Sequence, residues 1–334
     1  MEQPTLTPPA KLFARDLTDG QAVETYFLVR ECSTRQKRNG DSFLKLVLAD
    51  VTGSIDGVCW DGVEEVCAAA RPGAVVLVRG AFAMDQRYGA TLTVRSARAA
   101  SEDEYNPTDM YEGPPIPFAQ MEADLRDLVA TVQQQSLREL LERFFGEGSD
   151  VWARWKDAPA AKVYHQAYRH GLLEHCLSVA QGVSAMAATF PGLDRDIAVT
   201  GALLHDIGKI EAYSWEDGAI ELSDAGKLQG EIPLGYYTVR REIERLPGFP
   251  PRTAEAVLHI ILSHHGQLEH GSPVTPCTRE ATLVHMIDNL GGRLGSFDRL
   301  EKSLGDGETW SRFDRALSGS AYFGGTDARS DQAA

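Results

Sequence analysis

The residues best suited to chemistry in this chain form an ordered set of histidines and aspartates. The stretch Gly201-Ala-Leu-Leu-His-Asp-Ile-Gly-Lys209 sets His205 beside Asp206 at the end of an apolar helical run. A neutral imidazole and a carboxylate are nitrogen and oxygen donors, a combination that suits manganese, iron, cobalt or zinc. Two neighbours cannot close a coordination shell, so more donors are required. His175 lies upstream, His264 and His265 downstream, and Asp288 further on, each on a helix-like segment.

Each member has an ordinary reading beside the chemical one. His175 stands among Leu172, Leu173, Leu177 and Val179, so it faces inward; a lone inward histidine is more often a satisfied core residue than a ligand. The other candidates tip the balance towards ligation. Asp288 shares a helix with Leu283, Val284, Met286 and Ile287. A buried carboxylate without a partner is costly, and a cation removes that cost. His285, three residues earlier on the same face, is placed to steady a ligand. His264-His265-Gly266 closes an apolar run that also carries His259. One of the adjacent histidines could complete a second metal site while the other meets a substrate phosphate. With two ions, Asp206 would bridge them, and water held between them would ionise near neutral pH to supply the nucleophile. Lys209 is expected to neutralise phosphate charge, against the plainer role of a cation favouring a helix C-terminus. No serine or cysteine with a base partner competes.

The segments that carry these residues are helical in period: 121–132, 137–145, 172–188, 197–205, 234–245, 251–263 and 279–290, with a small polar hairpin or irregular excursion at 215–222. They form an expected all-α domain over 118–304. Ahead of it the pattern is strand-like. Runs at 22–32, 43–48, 54–60, 74–84 and 90–97, with a short helix at 63–70, match an OB-type barrel over 11–100. Residues 33–41 read as a polar hairpin turn around Asn39-Gly40. The expected organisation is therefore multidomain: a flexible lead-in (1–10), an all-β barrel, an acidic then Pro/Gly-rich linker (101–117), the helical domain, and a poorly ordered tail (305–334). OB-type barrels hold single strands in a basic groove with stacked aromatics. Candidate contacts are Arg35, Lys37, Arg38, Phe43, Trp60 and Tyr88; otherwise the aromatics are half core and the cations a solvated loop.

Length and composition agree with two domains: 334 residues, 43% of them apolar. No apolar run approaches the roughly 18 residues of a membrane span, and the start shows no secretion signal. Five scattered cysteines (Cys32, Cys59, Cys67, Cys176, Cys277) without a CxxC pair suit reduced thiols and a cytoplasmic setting. A net charge of −15 argues against general nucleic-acid affinity, but it is uneven. Between Lys11 and Arg98 there are 12 Lys plus Arg against 11 Asp plus Glu, so a polyanion meets the barrel more easily than the rest.

His175, His205-Asp206 and Asp288 resemble the HD superfamily of metal-dependent phosphohydrolases. The likeness is closer to its YhaM-like 3′-5′ exoribonuclease branch, which joins an OB domain to an HD domain. Five segments carry it: Asp50-Val-Thr-Gly-Ser-Ile-Asp-Gly-Val-Cys-Trp60, Gly171-Leu-Leu-Glu-His-Cys-Leu-Ser178, Leu203-Leu-His-Asp-Ile-Gly-Lys209, Ser263-His-His-Gly266 and His285-Met-Ile-Asp-Asn289. The resemblance implies cleavage of single-stranded RNA, with DNA as a further substrate, to nucleoside 5′-monophosphates, and it allows for homo-oligomers. It also exposes a departure. Where the family commonly carries a histidine for the second ion, this chain has Glu231, in Gly230-Glu-Ile-Pro-Leu-Gly235. Glutamate ligates through oxygen and favours a harder ion such as Mn2+; it is equally compatible with one tightly held metal. Two other readings stand beside this one. The first is a nucleotide or cyclic-dinucleotide phosphohydrolase with a regulatory barrel. The second is a catalytically silent nucleic-acid-binding protein.

Overall fold

The computed structural model describes residues 11–37, 40–85, 89–111, 113–162, 166–215, 219–302, 304–305 and 307–324. The chain divides into two compact units, Met1–Glu112 and Gly113–Trp215 with Ile220–Ala334.

The first unit is a closed five-stranded barrel. Its strands are β1 (Ala22–Gln36), β2 (Ser42–Asp50), β3 (Gly53–Cys59), β4 (Val75–Asp85) and β5 (Gly89–Ala99), closed in the order β1-β2-β3-β5-β4. Helix α1 (Val63–Ala69) joins β3 to β4. The β3–β5 pair is parallel and the rest are antiparallel, which is the OB arrangement. Phe27, Val29, Leu44, Leu46, Leu48 and Leu92 fill the interior. Beneath it, Lys11 Nζ meets Asp50 Oδ2 at 2.6 Å and lies over the Phe27 ring, 4.5 Å from its centroid.

Two expectations for this unit need correction. The polar turn is shorter than 33–41: β1 continues to Gln36, with Arg35 opposite Phe43 and Gln36 opposite Ser42. Polar side chains on a two-sided exposed ribbon carry no periodic signal, so the strand end was invisible. The stretch from 101 is not simply linker either. Glu104 pairs with Arg98 at 2.5 Å, Asn106 caps α2 (Pro107–Met110), and Met110 is buried with Tyr26, Leu28, Val75 and Leu77. That second small core explains why β1 is buried on both faces from Thr25 to Val29.

The second unit is helical: α3 (Phe118–Ala130), α4 (Gln135–Phe145), α5 (Asp150–Trp155), α6 (Gly171–Ala187), α7 (Arg195–Leu204), α8 (Lys209–Ala212), α9 (Asp224–Gln229), α10 (Glu231–Glu244), α11 (Pro251–Ser263) and α12 (Arg279–Lys302), with a two-residue ribbon of β6 (Tyr213–Ser214) and β7 (Glu221–Leu222). Helix α7 is the central rod, buried from Ala198 to Leu204. Asp194 caps its first turn, accepting from the Ile197 amide, and Asp196 accepts from the amides of Gln133 and Gln134. These bonds satisfy donors that a helix start leaves open. Among the described residues no helix is long and apolar enough to cross a membrane.

The tail expected to be poorly ordered is folded over 307–324. Asp314 pairs with Arg299 at 2.5 Å, Phe323 packs edge-on against Phe297, and Trp310 bridges to Tyr322. The aromatics scattered through this Ser/Gly-rich stretch gave no period, yet Phe323 on Phe297 and Asp314 on Arg299 tie it to α12.

Candidate active site

Four helices deliver their side chains to one buried point. His175 comes from α6, His205 and Asp206 from the turn after α7, His264 from the end of α11 and Asp288 from the middle of α12. The approach of α7 to α11 depends on Gly201, where a Cβ would collide with Ile260.

His175 Nε2 lies 3.2 Å from Asp206 Oδ2, from Asp288 Oδ1 and from His205 Nε2. His264 Nε2 lies 3.5 Å from Asp206 Oδ1. The donor atoms of His175, His205 and Asp288 all fall within 4.8 Å of one another, and so do those of His205, Asp206 and His264. All of these residues are buried except Asp288, which is half-buried.

The tautomers follow from the backbone. A carbonyl only accepts, so Nδ1 of His205 donates to Ala202 O (2.6 Å) and Nδ1 of His264 donates to Ile261 O (2.8 Å). In each neutral ring Nε2 is then a bare lone pair turned towards the carboxylates. Asp206 Oδ1 and His264 Nε2 are buried with no hydrogen-bond partner. Two acceptors facing each other across 3.5 Å in the interior is an arrangement that proteins avoid unless something electropositive lies between them. The set therefore fits a divalent cation in donor type, spacing and protonation.

The electrostatics are steep. Burial opposes the charged forms, yet hydrogen bonds to Asp206 and Asp288 raise the His175 pKa to about 9. Burial would likewise push Asp206 up, but the Lys209 charge and the neighbouring rings hold it well below the usual carboxylate range. Asp288 is lowered in the same way, chiefly by His175 working against burial. Lys209 Nζ sits 2.6 Å from Asp206 Oδ2, and that contact outweighs burial to raise its pKa.

Glu231 and His265 stand beside this cluster rather than in it. His265 Nε2 is 3.9 Å from Glu231 Oε1, and its Nδ1 donates to His270 O at 2.8 Å. The His265 ring packs edge-on against His264. Among the described residues neither belongs to the tight donor groups.

On the barrel, Phe43 and Trp60 stack at 4.9 Å between centroids and 27° between planes, and Lys37 Nζ lies 5.2 Å from the Trp60 centroid. Trp60 is 44% exposed. Arg35 is exposed across the ladder from Phe43. Arg38 and Tyr88 lie outside the described residues.

The HD domain family matches residues 172–292, which span the cluster from α6 to α12. The 3′-5′ exoribonuclease YhaM of Bacillus subtilis (strain 168) is 31% identical over 299 residues, covering 88% of this chain and 92% of its own. This chain belongs to the YhaM family of 3′-5′ exoribonucleases. The YhaM protein of Geobacillus sp. (strain WCH70) is 30% identical over 294 residues, covering 88% and 89%. Among solved structures, the second OB-fold domain of replication protein A from Methanococcus maripaludis is similar over 28% of this chain and 96% of its own, at 18% identity and a TM-score of 0.23.

In this YhaM-family chain, three residues join the site that the spacing argument left out or left open. His270, His285 and Asn289, together with His264, His265 and Asp288, line a cavity of about 280 Å³. His285 and Asn289 are four residues apart on α12, so they share a face, a signal the helical period does contain. His270 ends a single turn of 3-10 helix (Leu268–His270) closed by Gly271, too short for a period to assign a direction.

Proposed function

We propose that this chain is a metal-dependent 3′-5′ exonuclease that shortens single-stranded RNA, with single-stranded DNA as a second substrate, and releases nucleoside 5′-monophosphates. The observation that carries the reading is the buried, partnerless pair Asp206 Oδ1 and His264 Nε2, set among His175, His205 and Asp288 in a chain of this family. His175, His205, Asp206 and Asp288 would hold one cation, and Asp206 with His264 a second, supported from the side by His265 and Glu231. The oxygen donor at Glu231 favours manganese. A divalent cation supplies Lewis acidity to a phosphoryl group and lowers the pKa of water at that point.

The chain's own residues do the rest. Backbone carbonyls at Ala202 and Ile261 hold His205 and His264 in the tautomer that leaves Nε2 bare. Lys209 fixes the Asp206 carboxylate and brings positive charge to where phosphate charge must be balanced. On the barrel, the Phe43–Trp60 stack with Lys37 offers a platform for bases and backbone of a single strand. The test is a 5′-labelled single strand incubated with Mn2+. Stepwise shortening from the 3′ end with release of 5′-mononucleotides is expected. A strand that survives while free nucleotides or cyclic dinucleotides turn over would overthrow the proposal.

Two further outcomes follow. Below about pH 9 the His175 ring carries a proton in the metal-free protein, and a ligand must shed it, so cation uptake competes with protons and tightens as pH rises. Calorimetric titration of Mn2+ at pH 7 in buffers of different ionisation enthalpy is expected to report release of about one proton; a buffer-independent heat would contradict this. On the barrel, Trp60→Ala is expected to weaken binding of a long strand by about 5- to 150-fold, since base stacking contributes about 1–3 kcal/mol. Cleavage of a dinucleotide should be unchanged, and equal loss on both substrates would remove Trp60 from the strand path.

A further inference from the structure

The cavity lining divides by chemistry into the candidate cation donors His264, His265 and Asp288 and a second set, His270, His285 and Asn289. Among the described residues no lysine or arginine lines it.

The second set is fixed in place at His285. Nδ1 of this ring donates to the His264 carbonyl at 2.7 Å, so in the neutral ring Nε2 is a hydrogen-bond acceptor. The ring also lies flat against Gly266, which has a left-handed φ of +79° and where any Cβ would collide with the imidazole. One turn along α12, Asn289 is exposed and adds a carboxamide, with one acceptor oxygen and two N–H donors. A pinned acceptor and an amide match hydroxyl groups, which donate. The volume, about 280 Å³, lies at the small end of ligand pockets, which begin at roughly 300 Å³. That is room for one nucleotide's sugar-phosphate beside the donor cluster.

We propose that this wall receives the sugar of the 3′-terminal nucleotide. His285 Nε2 accepts from its 3′-hydroxyl, and Asn289 bonds the same hydroxyl group or the sugar oxygen beside it. This inference rests on the exonuclease reading above and deepens it. The site's preference for an end over an interior position then comes from a wall that fits a free hydroxyl. His285 and Asn289 are thus specificity-determining residues for the terminal sugar.

The test compares kcat/KM, with Mn2+, for single strands ending in a 3′-hydroxyl and in 3′-deoxyribose. The wild-type protein is expected to favour the 3′-hydroxyl end over the 3′-deoxy end by about tenfold, the size of one hydrogen bond lost with its partner left unpaired. Asn289→Ala leaves the His285–His264 bond intact and is expected to reduce the hydroxyl-to-deoxy ratio, with the Mn2+ content and the melting temperature retained. His285→Phe keeps a ring against Gly266, gives up the bond to the His264 carbonyl, and is also expected to reduce the ratio. A wild-type ratio near one, or a ratio that survives both substitutions, overturns the proposal. Equilibrium binding of a nucleoside 5′-monophosphate and its 3′-deoxy counterpart separates the two levels of inference. If no strand is shortened, the exonuclease reading fails. In that event, equal affinities for the two mononucleotides overturn the sugar wall, and a preference that Asn289→Ala abolishes supports it.

Discussion

Asp206→Asn is expected to slow strand hydrolysis on the order of 10³-fold or more while single-strand binding by the barrel stays intact. The substitution is nearly isosteric, so the packing around it is retained. What changes is charge and donor type. Oδ2 is the partner of Lys209 at 2.6 Å and lies 3.2 Å from His175 Nε2, while Oδ1 faces His264 without a hydrogen bond. A carboxamide gives up the negative charge at the point where both donor groups meet. It also turns an N–H towards either Lys209 or His264, and in the second orientation it fills the lone pair that a cation needs. Metal content should fall together with activity. Because Lys209 would keep only a neutral partner in the interior, the melting temperature is read alongside. Activity above about a tenth of wild type, in a variant that still melts cooperatively, would take Asp206 out of the reaction.

Asp50→Ala is expected to destabilise the barrel by about 3–5 kcal/mol, the usual cost of removing one member of a buried charge pair. The Asp50 side chain is fully buried and organises four donors. Oδ2 accepts from Lys11 Nζ and the Ala14 amide, and Oδ1 accepts from the amide and hydroxyl of Thr52. Removing it leaves the Lys11 ammonium, 12% exposed and already lowered in pKa by burial, over the ring of Phe27 without its counter-charge, with the Leu12 and Tyr26 carbonyls as its remaining hydrogen-bond acceptors. Denaturant unfolding followed by tryptophan fluorescence of the barrel, where Trp60 is the reporter, measures the loss. A change below about 1 kcal/mol would mean that the pair behaves as a surface ion pair.

Much of the site was legible in the sequence for a specific reason. His175, Asp288 and the His205-Asp206 pair each interrupt an apolar helical run, and a polar residue in the middle of such a run must find a partner. The period of 3.6 says which way each one points, and the structure brings them together. Glu231 and His265 were harder. Both stand at helix ends, where the period stops giving direction, and the structure sets them beside the donor cluster. The barrel strands were readable wherever one face was buried and the other wet. They became illegible at 33–36, where both faces are wet, and at 101–110, where a short capped helix closes a second core. The C-terminal clasp escaped because its contacts are pairwise aromatic and ionic, between residues whose spacing in sequence follows no repeat.

The missing side chain at Gly201 has a bearing on which ions such a centre can hold. With α7 seated directly on the Ile260 side chain of α11, the His205 and His264 rings stand 4.9 Å apart, centroid to centroid. Asp288 and Glu231 are less deeply buried than the other candidate donors. If ions of different radius exchange here, these solvent-side residues would be the ones to accommodate them.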